Sequence, residues 1–75
     1  MLINVKNLSG KTISLNVHEA YTIRNIKEII QEMEGISPSN LKLVFEGKIL
    51  DDTKQILTTN IKPTDTLCLM IALRR

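Results

Sequence analysis

Met1-Leu2-Ile3-Asn4-Val5-Lys6-Asn7-Leu8-Ser9-Gly10-Lys11-Thr12-Ile13-Ser14-Leu15-Asn16-Val17 carries the same apolar alternation on both sides of a Ser-Gly turn. Met1, Ile3 and Val5 fall on one face of an extended chain, with Leu2, Asn4 and Lys6 on the other. After Ser9-Gly10 the pattern returns as Ile13, Leu15 and Val17 against Thr12, Ser14 and Asn16. Period two on either side of a glycine turn predicts a β-hairpin with one buried face.

Beyond the hairpin the period changes. Ile23, Ile26 and Ile30 stand at i, i+3 and i+7, with Thr22 placed to cap the start of a helix, Gly35 to end it in a left-handed turn, and Pro38 just past that end. One amphipathic helix is predicted. Leu41 to Phe45 reads as a third strand, Glu46-Gly47 as a tight turn, Lys48 to Leu50 as a short strand, and Thr66 to Ile71 as a last strand after the turn at Pro63-Thr64-Asp65. A helix laid across one face of a mixed sheet is the economical way to bury these stripes, which gives an α+β fold in a single domain over residues 1–75.

At 75 residues the chain is near the lower limit for an independent core, burying only about 60% of its unfolded surface. Hydrophobic residues make up 43%, with one Tyr, one Phe and no Trp, so the core has to be aliphatic. A net charge of +2 and two aromatics supply neither the basic patch nor the stacking platform that nucleic acid requires. No apolar run approaches the roughly 20 residues that span a bilayer. A soluble, monomeric, intracellular protein of the cytoplasm or nucleus is expected, and the single cysteine, Cys68, fits a reducing compartment. Cys68 with His18 is the one nucleophile and base to consider; they lie on separate elements without a local motif, so no catalytic residue is assigned. One Cys and one His supply no metal ligand set, and no cofactor is implied.

The opening hairpin resembles that of ubiquitin and its modifier relatives. The resemblance runs on through Thr22-Ile23, Glu34-Gly35-Ile36, Leu43-Val44-Phe45, Gly47-Lys48, Leu50, Asn60-Ile61, Thr66-Leu67, Leu69 and Leu73-Arg74. It implies the ubiquitin-like β-grasp fold. Met1-Leu2-Ile3 and Ala72 lean toward the related-to-ubiquitin modifiers used on cullins, because ubiquitin has Arg where Ala72 stands.

Alternation in the third and last strands turns Leu43, Phe45, Leu67 and Leu69 inward and Lys42, Val44, Cys68 and Met70 outward. With Leu8 in the hairpin turn this predicts an exposed aliphatic cluster of Leu8, Val44 and Met70, beside Cys68 and rimmed by Lys6, Lys42 and Lys48. The resemblance implies that this is the patch read by ubiquitin-binding helices or domains, with Cys68 in place of the usual histidine. Lys6, Lys11, Lys27 and Lys48 fall on positions used as chain acceptors in the family. Lys27 lies at the inner edge of the helix, where its head could pair with a carboxylate such as Asp52. Ile29 and Met33, one helical turn apart, stand where ubiquitin has lysines; they either widen the buried face or form a second surface.

The chain closes on Ala72, Leu73, Arg74 and Arg75. Conjugated relatives finish in Leu-Arg-Gly-Gly, so Arg75 stands at the first glycine. Three readings follow. The first is a domain recognised non-covalently by ubiquitin-receptor or proteasome-associated partners; the second is a covalent modifier, with activating and conjugating enzymes as partners, whose conjugating terminus is absent or altered here; the third, a purely structural domain inside a larger protein, needs only the fold.

Overall fold

The computed structural model describes residues 1–7 and 9–71. Strands β1 (Leu2–Lys6) and β2 (Thr12–Asn16) form the hairpin, α1 runs over Ile23–Glu34, and β3 (Leu41–Phe45), β4 (Lys48–Ile49) and β5 (Thr66–Ile71) complete a five-stranded mixed sheet. Short 3-10 turns occupy Pro38–Asn40 and Ile56–Thr58. This is the ubiquitin-like β-grasp arrangement, with one main helix packed on a mixed sheet.

Local chemistry accounts for the ends of the elements. Thr22 caps α1: its Oγ1 accepts the Asn25 N–H at 3.2 Å, while Asn25 Oδ1 accepts the Thr22 N–H at 3.0 Å. Gly35 takes φ 74°, where a side chain is strained, and its N–H donates to the Gln31 carbonyl at 2.7 Å. In the first hairpin Asn7 Oδ1 accepts from Ser9 N–H at 3.1 Å and Lys11 N–H at 2.9 Å, so one side chain organises the turn. Glu46 and Gly47 both have positive φ, 53° and 79°, the type I′ geometry that joins β3 to β4 through two residues.

Strand order is β2-β1-β5-β3-β4, with β1 and β5 parallel at the centre and the other pairs antiparallel. The terminal strand therefore lies beside the first. Ile3, Val5, Leu15, Val17, Leu41, Leu43, Leu67 and Leu69 turn inward to meet Ile23, Ile26 and Ile30 from α1, with Ile56 and Ile61 closing the end. Phe45, expected inward, is half-buried at the margin of this core, at the end of β3 next to the exposed turn Glu46-Gly47.

Candidate functional site on the outward face of the sheet

Strand pairing assembles the site from four strands. Lys6 on β1 stands opposite Cys68 on β5, Cys68 opposite Val44 on β3, and Val44 opposite Ile49 on β4. Neighbouring strands lie about 4.8 Å apart, so this row spans roughly 14 Å. The adjoining row sets Lys42 against Met70. Met70 is 48% exposed and Ile49 62%, whereas Val44, between Cys68 and Ile49, is half-buried. The face is a low aliphatic ridge with exposed Lys6 and Lys42 at its margins.

Of the residues that alternation assigned to the patch, Val44, Cys68, Met70, Lys6 and Lys42 stand together here. Leu8 lies outside the described residues, as do Ala72, Leu73, Arg74 and Arg75. Lys48 pairs with Phe45, on the opposite side of the alternation from Val44, and is exposed on the edge strand. The register seats Ile49 next to Val44 instead. Sequence reasoning missed Ile49, although a two-residue turn at Glu46-Gly47 forces the pair Val44 and Ile49 once the turn length is counted outward.

The lysines divide by burial. Lys6, Lys11 and Lys48 are exposed, whereas the Lys27 side chain is only 7% exposed and its Nζ is bonded to Asp52 Oδ1. Lys27 therefore offers no free amine in this conformation. Asp52 sits inside a tight turn: Asp51 Oδ1 accepts from the Thr53 N–H at 2.9 Å and the Thr53 hydroxyl at 2.8 Å. Those two bonds hold the Asp51 carboxyl below its ordinary range. The Lys27 pair is asymmetric, since Asp52 is 42% exposed. Asp52→Ala is expected to cost about 1 to 3 kcal/mol, because it strands a buried ammonium, and Lys27→Met less, because the carboxylate left behind reaches water. Urea melts of the two variants check the order.

Cys68 and His18 stay apart in role as well as in sequence. Cys68 is exposed on β5, while His18, beyond β2, accepts the Ala20 N–H at 3.0 Å through Nδ1. Among the described residues no group of three or more His, Cys, Asp or Glu is placed to hold a metal, and no helix is long and apolar enough to cross a membrane. What the face can do is dock: it combines an apolar ridge with cations and carries no acid in either row.

Residues 3–74 match the model of the ubiquitin family, and the chain belongs to that family. It is a ubiquitin-like protein. Over 74 residues it is 42% identical to the ubiquitin-like protein NEDD8 of Dictyostelium discoideum and 38% identical to the NEDD8-like protein RUB1 of Saccharomyces cerevisiae, in each case covering 99% of this chain and 96% of the relative. It is 39% identical to the NEDD8-like protein RUB3 of Arabidopsis thaliana, over 99% of this chain and 95% of the relative. These matches favour the modifier reading over the purely non-covalent one.

Proposed function

We propose that the chain is a protein modifier of the related-to-ubiquitin type, attached through its C-terminal end and read by partners through the outward face of the sheet. The observation that carries this is the end-to-end match to NEDD8-type proteins, which covers 96% of their length at 42% identity in the Dictyostelium case. Met1-Leu2-Ile3 and Ala72 lean the same way. In this reading the partners are activating and conjugating enzymes, and the site of action is the cytoplasm and nucleus. Arg75 stands at the first glycine of the family's Leu-Arg-Gly-Gly ending, so the reading assigns the reactive carboxylate to a form of the chain that ends in glycine. The test is charging: with Arg75→Gly and one added Gly, incubation with ATP and a related-to-ubiquitin-type activating enzyme should give a thioester, and its absence would defeat the modifier reading.

Recognition by ubiquitin-binding helices is a second reading, supported by the exposed Met70 and Ile49 around Val44. Such helices present an apolar stripe that the ridge can receive, and acidic flanks would meet Lys6 and Lys42. Anchors of this size typically contribute about 1 to 3 kcal/mol at small interfaces, so Val44→Ala should weaken receptor binding about tenfold or more while the melting point barely moves. An NMR titration with a ubiquitin-binding helix provides the check. Absence of shifts at Val44, Cys68 and Met70 at millimolar ligand, about 4 kcal/mol of binding energy, would remove this reading.

A further inference from the structure

The edge of α1 presents a second surface of opposite charge. Tyr21, Asn25, Glu28, Ile29 and Glu32 line a groove of about 420 Å³ along the helix. Ile29 is half-buried against the core and forms an apolar floor, whereas Met33, one turn further on, is 51% exposed. Core packing thus separates the two residues. Ile29 belongs partly to the interior, whereas Met33 keeps about half of its surface in water.

Glu28 and Glu32 run beside Ile29 and Met33, each row advancing by four residues. Side chains four apart on a helix are about 5 to 6 Å from one another, so the acidic row and the apolar row keep the same spacing. Glu28 meets Arg24 at 3.7 Å, but both side chains are more than half exposed, and a pair of that kind is weak and leaves the carboxylate free to exchange partners. Glu32 has no ion pair among the described residues.

We infer that this edge of α1 is a second docking surface, and that its occupant is an amphipathic helix of a partner protein bearing an apolar row flanked by Lys or Arg. The match is one of charge and of period. Arg or Lys on the partner would pair with Glu28 and Glu32, while an aliphatic side chain would seat over Ile29 beside Met33. The acids repel nucleic acid and anionic lipid, which leaves a cationic protein segment as the class of ligand that fits. The sheet face is lined by Lys6 and Lys42, so the two surfaces select partners of opposite charge, and one chain can hold both at once.

The probe is a short amidated helical peptide with Leu at i and i+4 and Arg on both flanks of that row, titrated into isotope-labelled protein. Shifts are expected at Asn25, Glu28, Ile29, Glu32 and Met33. Glu28→Lys with Glu32→Lys should weaken binding about tenfold or more, and Met33→Lys should weaken it as well, while Val44→Ala leaves it unchanged. Glu28→Gln with Glu32→Gln gives the same test without reversing charge, and circular dichroism confirms that each variant is folded. Equal binding of the same peptide with Glu in place of Arg, unchanged affinity in the Gln and Lys variants, shifts confined to Lys42, Cys68 and Met70, or self-association of the chain through this edge would each overturn the inference.

Discussion

The 75-residue chain ending at Arg75 is expected to form no thioester with a ubiquitin-type or related-to-ubiquitin-type activating enzyme and ATP, and Arg75→Gly with one further Gly is expected to restore charging. Conjugation in this family threads a Gly-Gly terminus through narrow clefts, where the missing Cβ lets the backbone approach closely. A guanidinium side chain at that position has no space to enter. Ala72 should direct the repaired chain to the related-to-ubiquitin enzyme, because it lacks the cation that an acidic, ubiquitin-selective pocket would pair. A gel under non-reducing conditions reads each outcome. Charging of the unrepaired chain would show that Arg75 does not block activation, whereas failure of the repaired chain would mean that the departures from a modifier go deeper than the tail.

Truncation of Ile26 or Ile30 to Ala is expected to cost about 2 to 5 kcal/mol. Both side chains are 0% exposed and share one core with Leu43 and Leu67, so removing three carbons leaves a cavity bounded by helix and sheet together. A domain of this size has roughly 4 to 11 kcal/mol of total stability, so either change removes a large fraction. The two sites are one helical turn apart and belong to the same buried cluster, and the double variant should depart from additivity. Urea denaturation gives the values; a loss below roughly 1 kcal/mol at either position would mean that the core is not organised around this face of α1.

The patch was only partly legible before the fold was known. Alternation placed Val44, Cys68 and Met70 outward because a strand's side chains have only two directions, and the patterns of two strands were enough to say so. Lys48 and Ile49 differ by one residue, and on a two-residue strand that step moves a side chain to the other face of the sheet. Register thus decided that Ile49 adjoins Val44, and the register follows from the two positive-φ residues of the turn. Ile29 and Met33 were equivalent by helical period. Their separation into a half-buried and an exposed residue depends on what packs against each, which no periodicity contains.

By itself the sequence determined the hairpin, the helix with its Thr22 and Gly35 ends, the inward stripe of Ile23, Ile26 and Ile30, and the choice of Arg at position 75. These rest on interactions among residues near in the chain: turn chemistry, caps, and the periods of strand and helix. Tertiary structure alone decided that β5 lies parallel to β1 and antiparallel to β3, which brings Lys6, Cys68, Val44 and Ile49 into one row across four strands. It also decided that Ile29 is half-buried against the core while Met33 is left exposed. Such contacts join segments distant in sequence, and their partners are chosen by the requirement that every apolar stripe be buried at once, a condition that no single segment carries.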